Sequence, residues 1–244
     1  MMEWNALLYD GSHGFVPKYG LEVLDMLGDI SGKSVLDAGC GTGTLAAEAA
    51  RRGANVLGVD ADENMLKTAR ENYPQLTFER CKLEQFKRDS AFDCVYSNAV
   101  LHWIADQEKV AENIYACLKD GGMFACEFGG AGNADTVLTA LKAGLEREEA
   151  QYKSPFHYRG LEFKRVLENA GFAVKYIKLF PRMTALKGDD GLDNWIRQFC
   201  RETLPEEPER VLEYVRRAVK DRLFFDGVWH VDYMRLRFLA EKRL

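Results

Sequence analysis

No apolar run in this chain approaches the roughly 20 residues that a membrane-spanning helix requires. The opening residues, MMEWNALLYDG, carry an acid and lack the basic-then-apolar order of a secretory signal. Cysteine occurs six times, at 40, 81, 94, 117, 126 and 200, but never as CxxC. That scatter argues against a zinc or disulfide framework and for reduced, mostly buried thiols. Internal repeats, low-complexity tracts and exposed linkers are also missing. So is a basic excess: 33 Lys and Arg face 38 Asp and Glu, for a formal charge of -5. A dedicated nucleic-acid binder usually shows the opposite balance. Basic clusters such as RRAVKDR at 216–222 alternate with acids and read as solvated helix faces. These absences predict a cytoplasmic protein, without metal, nucleic-acid or membrane partners. It would act on a small molecule as a monomer or weak dimer.

What is present is an ordinary globular composition, 47% hydrophobic and 29% charged over 244 residues. That length suits one large domain or a domain with an insertion. It is long enough to bury roughly 70% of the surface of the unfolded chain. Residues 17–30 read as a helix with Pro17 in its first turn. Short apolar strands then alternate with helices: KSVLDAG, NVLGVD, LTFER, FDCVYSN and MFACEF are the strands. Such βαβ rhythm predicts an α/β, doubly wound and mostly parallel sheet with both faces covered. After Gly129 the rhythm changes to helices around the loop SPFHYRG, a strand AVKYIKLFPR, two more helices and a final alternating strand, WHVDYMRLRFLAEK. The alternation predicts an antiparallel C-terminal strand at the sheet edge, and the surplus helices predict a cap. The expected organisation is an N-terminal helical lid over 1–30, a Rossmann-like cofactor core over 31–130, and cap insertions with the last two strands over 131–244.

The first strand-to-helix turn, VLDAGCGTG, has GxGxG spacing, whereas dinucleotide folds prefer GxGxxG with a pyrophosphate on the helix N-terminus. Asp37 ends the strand, where a carboxylate would repel a pyrophosphate and suit a ligand with positive groups. Asp60 ends the second strand, placed to grip ribose hydroxyls, with Ala61 beside it. Capping of the next helix is the alternative for Asp60. Ser97 and Asn98 end the fourth strand, either lining the site or bonding a local turn.

At these residues the chain resembles the S-adenosylmethionine-dependent methyltransferases of Rossmann-like fold, VLDAGCGTG matching their first motif almost residue for residue. The resemblance implies a ligand with an ammonium and a sulfonium near Asp37, and close backbone approach to its methionine part at Gly39, Gly41 and Gly43. It implies that Asp60 binds both ribose hydroxyls and that the FDCVYSNAVLHW stretch floors the reacting methyl. One position departs. Relatives often carry Gly-Asp after the third strand, the acid contacting the adenine amino group; here FERCKLEQF places Cys81 and Lys82. Lys82 cannot accept a hydrogen bond, so backbone groups of Lys82 and Leu83, or Glu84, are left to read the ring.

SNAVLHW also resembles the trans-aconitate and malonyl-carrier carboxyl methyltransferases, which implies a carboxylate acceptor. A carboxylate is already ionised at neutral pH and needs no general base. An amine or phenol acceptor more often needs one, for which His102, His13 or His157 are candidates; a cofactor-binding module without catalysis is a further alternative. Tyr9, His13 and Phe15 are candidates for a lid over the cofactor. Trp103 follows His102, and His157 and Tyr158 lie in the SPFHYRG loop as substrate candidates. Arg159, Arg182, Arg197 and Arg235 are candidates for an arginine fork on a carboxylate. Trp195 and Phe199, at i and i+4 of one helix, either line the acceptor pocket or pack the core.

Overall fold

Each short apolar segment before residue 130 becomes a strand, and helices cover both faces of the sheet. The computed structural model describes residues 15–243, with side chains from Tyr19 onward; Tyr9, His13 and the Phe15 side chain lie outside the described part. The chain runs through α1 (Phe15–Asp25), β1 (Ser34–Ala38), α2 (Thr44–Arg51), β2 (Asn55–Asp60), α3 (Glu63–Asn72), β3 (Thr77–Arg80), β4 (Phe92–Asn98), α4 (Gln107–Cys117) and β5 (Leu118–Gly129). There follow α5 (Asp135–Arg147), α6 (Phe163–Asn169), β6 (Phe172–Ala185), α7 (Gly191–Phe199), α8 (Glu209–Leu223), β7 (Phe224–Phe225) and β8 (Val228–Lys242). The strand order is β3-β2-β1-β4-β5-β8-β6, with β7 paired to β8. Strands β1 to β5 run parallel to one another; β8 is antiparallel to both β5 and β6.

The period of two decides what each face holds. Leu36 and Ala38 of β1, Val95 of β4, Phe124 and Cys126 of β5, and Phe238 of β8 pack with α4 and α6. Val35, Cys94, Tyr96 and Ala125 pack on the other face with Val23 and Leu24 of α1, Leu27 just after it, and Ala49 of α2. Local chemistry places the helix starts. Asp62 caps α3, its side chain accepting from the amides of Asn64 (2.8 Å) and Met65 (3.0 Å). Asp106 caps α4 in the same way through the Lys109 amide, at 2.9 Å. The KDGG stretch does not form a separate turn after α4. It is absorbed into β5 as an irregularity, the register with β4 shifting between Phe92 and Cys94.

One expectation needs correction. The antiparallel C-terminal strand is present, but it is not the edge: β8 is inserted between β5 and β6, and β6 is the edge strand. The alternation that suggested an edge strand has another cause. Arg235 and Arg237 on the polar side of β8 turn inward onto the fully buried Glu127 of β5.

The helices after Gly129 have a core of their own. Val137 and Leu141 of α5, Leu192, Trp195 and Ile196 of α7, and Val211, Leu212 and Val215 of α8 pack together with Trp229 and Val231 of β8. Helices α5 and α8 cross closely at Gly144, where a Cβ would lie 3.1 Å from Tyr214 and 3.3 Å from Val211. No described helix is long and apolar enough to cross a membrane.

Candidate active site

The carboxyl ends of β1, β2 and β4 open onto a cleft of about 500 Å³, closed on its far side by the helical layer. Such a position is where ligands bind in open α/β sheets. The turn after β1 forms its floor. Gly39 has φ 85°, and a Cβ there would fall 2.3 Å from Val100 Cγ2. Its tight contact joins the first loop to the segment after β4. Gly41, φ 53°, also lines the cleft and would meet nothing within 4 Å if it carried a Cβ. Gly43 instead precedes α2 and packs behind the cleft against Phe78.

Asp60 lines the cleft at the end of β2. Its two carboxylate oxygens accept from the Gly41 and Asp62 amides, each at 2.9 Å. Helix capping falls to Asp62 rather than Asp60, which ties loop to strand end and keeps a carboxylate on the cleft wall. Burial holds its carboxyl above the usual range despite those amides. Asp37 lies beneath the loop, only 2% exposed, and is not part of the cleft wall. It pairs in register with Tyr96 of β4, so both side chains sit side by side on the α1 face. Its Oδ2 and the Tyr96 hydroxyl both lack a hydrogen-bond partner among the described residues. Burial pushes the Asp37 carboxyl up to about 7; the neighbouring Tyr96 hydroxyl opposes this and the Asp60 charge adds to it.

Ala61, Lys82 and Leu83 line the same end of the cleft as Asp60, with Cys81 and Glu84. The turn Leu83–Gln85 is held from below by Asn113 of α4, whose Nδ2 donates to Leu83 O at 2.9 Å. Asn98 lines the cleft, whereas Ser97 points away and donates its hydroxyl to Ala38 O at 2.6 Å.

The other end is aromatic and cationic. His102, Trp103, Tyr158, Trp195 and Phe199 line it, as do Phe156, Tyr19 and Tyr233, which single-sequence reading missed. The Leu101–Trp103 turn and the SPFHYRG loop are stitched together. His157 N donates to His102 O at 2.8 Å, and Gln107 Nε2 donates to Leu101 O (2.9 Å) and His157 O (2.7 Å). His157 therefore contributes backbone; its side chain is exposed and outside the cleft wall. His102 is 6% exposed, and its Nδ1 accepts from the Gly129 amide at 3.2 Å. A backbone N–H can only donate, so the neutral ring carries its proton on Nε2. Burial, and then the Arg235 charge, hold the ring well below its usual pKa. Asn133 lines the same wall and bonds the Tyr158 hydroxyl at 3.1 Å.

Of the four candidate arginines, the cleft holds Arg182 and Arg235. Arg159 pairs with Glu108 at 2.9 Å and Arg197 with Glu209 at 2.6 Å, both outside the cleft wall. Arg182, Arg235 and Arg237 all bond the buried Glu127, at 2.5, 3.2 and 2.7 Å respectively. Glu22 of α1 adds a half-exposed carboxylate to Arg182 and Arg237. Arg182 also stacks over Tyr19, 4.1 Å from the ring centroid, and Arg235 lies 5.5 Å from that of Tyr233. No cluster of metal-ligating side chains occurs among the described residues.

A family described as a methyltransferase domain matches residues 36–126, which spans β1 to β5. An uncharacterized methyltransferase of Schizosaccharomyces pombe is 31% identical and is matched over 98% of each chain. Trans-aconitate 2-methyltransferase of Variovorax paradoxus is 34% identical over 52% of this chain and 50% of that protein, about half of each. A solved structure of Haemonchus contortus phosphoethanolamine N-methyltransferase 2, in complex with phosphomonomethylethanolamine and S-adenosylhomocysteine, superposes with TM-score 0.65 at 22% identity. It covers 98% of this chain and 57% of that one, a likeness of fold. The chain belongs to the S-adenosylmethionine-dependent methyltransferases of Rossmann-like fold, and S-adenosylmethionine is its methyl donor.

Proposed function

We propose that the enzyme methylates a carboxylate oxygen of a small molecule. The observation that carries this reading is the pair of guanidiniums, Arg182 and Arg235, on the wall of a largely aromatic cleft. Three arginines share Glu127 and Glu22, so one positive charge remains in excess among the described residues of the cluster. An acceptor carboxylate would balance it and gain the charge-assisted hydrogen bonds that guanidinium forks make well. The trans-aconitate methyltransferase likeness points the same way.

The residues present fit the donor. Asp37 Oδ2 is a buried acceptor atom without a hydrogen-bond partner among the described residues, suited to a cationic group above the first loop. Gly39 and Gly41 leave bare backbone there, Asp60 and Ala61 follow at the ribose position, and Lys82 and Leu83 stand where the adenine would lie. S-adenosylmethionine, when bound, supplies an electrophilic methyl carbon whose bond to sulfur breaks, the electron pair staying on sulfur, as the acceptor bond forms. Asn98, at the end of β4, lines the floor between the two ends.

The competing reading is proton removal by His102 from an amine or phenol. The locked tautomer opposes it: Nδ1 is occupied by the Gly129 amide, and Nε2 carries the proton. His102 then donates a hydrogen bond to an acceptor oxygen and removes nothing. A carboxylate arrives ionised, so no proton moves. Arg182 and Arg235 orient the acceptor, and the aromatic wall excludes water, which strengthens both effects.

The test is methyl transfer from isotopically labelled donor to a panel of small carboxylates, amines and phenols, with mild alkali to release methanol from methyl esters. Alkali-labile product is expected. Arg235→Lys should lower kcat/KM by roughly tenfold or more, since a point charge replaces a fork. Across pH 6 to 9, log kcat/KM should show no rise governed by an imidazole. Alkali-stable products alone, or a rising limb abolished in His102→Gln, would overturn the proposal.

A further inference from the structure

We infer, on the basis of the carboxylate reading above, that the acceptor is a monocarboxylate with a planar apolar body rather than a di- or tricarboxylate. The charge supply sets the first limit. Among the described residues, Lys82, Arg182 and Arg235 are the Lys and Arg side chains on the cleft wall, and Lys82 stands at the end shared with Asp60. Arg182 and Arg235 are already engaged by Glu127, which is fully buried and cannot leave. Their cluster offers one uncompensated charge, enough for one carboxylate. A second carboxylate would have to lie among the aromatic rings or near Glu202, the acidic side chain that the helical layer presents to the cleft. Both places penalise it, the first by desolvation and the second by like-charge repulsion.

The rings set the second limit. Phe156 and Tyr158 stack with centroids 5.1 Å apart and planes 9° apart. Trp103 packs 4.8 Å from Phe156 and 6.1 Å from Phe199, and Trp195 lies 5.3 Å from Phe199. This wall joins the arginine pair to the helical layer. It offers apolar area and quadrupolar faces, which favour an aromatic or extended hydrocarbon body. A small polyacid would leave that area in contact with nothing it can use.

The assay uses the whole enzyme with S-adenosylmethionine and three probes: trans-cinnamate, hexanoate and trans-aconitate. Ester formation should favour cinnamate over trans-aconitate by at least about tenfold in kcat/KM, the ratio one unfavourable charge contact of modest strength produces. Lengthening the aliphatic acid should raise kcat/KM by up to about fourfold per methylene until the wall is covered. Trp103→Leu should narrow the cinnamate advantage, and Glu202→Gln should raise trans-aconitate relative to cinnamate. Equal or better esterification of trans-aconitate would overturn this inference and leave carboxylate methylation standing. Methylation of amines or phenols with no ester from any acid would overturn both. If turnover is undetectable, tryptophan fluorescence titration of the S-adenosylhomocysteine-loaded protein decides: cinnamate must bind at least as much tighter, and failure of every carboxylate to bind overturns both.

Discussion

At the scale of single residues, the cleft works by leaving polar groups unfinished. Asp37 is the clearest case, a buried carboxylate with a bare oxygen and a pKa pushed up to about 7 by burial. In the unfolded chain an aspartate titrates near 3.8. Below about pH 4 the group is protonated in both states and stability is unaffected. Between about 4 and 7 only the unfolded chain ionises, so the native state loses stability as pH rises; above 7 the loss levels off. The penalty is at most about 4 kcal/mol. Asp37→Asn should remove it, so the ligand-free mutant should gain on the wild type from pH 5 to about pH 7 and hold that gain at pH 8 in urea titrations. The same mutant should bind S-adenosylhomocysteine more weakly at pH 8, because the uncompensated charge is what a cationic group neutralises. Parallel stability curves for the two proteins would refute the assignment. His102 is the opposite case, a ring whose burial and Gly129 bond keep it neutral and fixed in one tautomer.

At the scale of elements, the insertion of β8 between β5 and β6 makes the acceptor end. Register places Glu127 opposite Arg237, Arg235 opposite Phe180, and Arg182 opposite Tyr233. Period-two alternation then gathers three guanidiniums on the α1 face around one carboxylate. Breaking such a cluster by removing its anion leaves buried charges unpaired, which typically costs about 3–5 kcal/mol. Glu127→Gln should therefore lower the urea midpoint substantially. Glu127→Gln with Arg237→Met should recover part of the loss, because one orphaned charge is removed with its partner. Full additivity of the two changes would show that Arg237 and Glu127 are not coupled. This cluster also marks the limit of what the sequence reveals. The five parallel strands and the first-loop glycines are written locally, in apolar runs of the right length and in GCGTG. Arg182 and Arg235 could not be separated from Arg159 and Arg197 by any local pattern. Their convergence depends on a strand pairing between residues about 50 positions apart. Asn133, Tyr19 and Glu127 carry no local pattern that marks them either, and the alternation of β8 by itself suggests a sheet edge rather than a polar side facing the buried Glu127.

For the whole molecule, the question is whether sheet and helical layer behave as one body. Strand β8 runs through both cores: Trp229 and Val231 pack with α5, α7 and α8, while Leu236, Phe238 and Ala240 pack under the sheet with α4 and α6. A strand cannot leave one core without dragging its hydrogen bonds from the other, so a single unfolding transition is expected. The cleft lies at the junction of the two. S-adenosylhomocysteine at 100 times its Kd should add about 2.7 kcal/mol to stability. For a chain of this length that is a rise of about 5–10 °C in Tm. The whole transition should move, since ligand binding at the sheet end stabilises a body that includes the helices. Asp60→Ala should shrink the shift by removing the carboxylate that ties Gly41 and Asp62 at the cleft wall. Differential scanning calorimetry reads both effects. Two resolved transitions, of which only one responds to ligand, would show that β8 does not couple the helical layer to the sheet. The acceptor site would then be assembled only when both layers are folded, and acceptor binding, unlike donor binding, should disappear at the lower of the two temperatures.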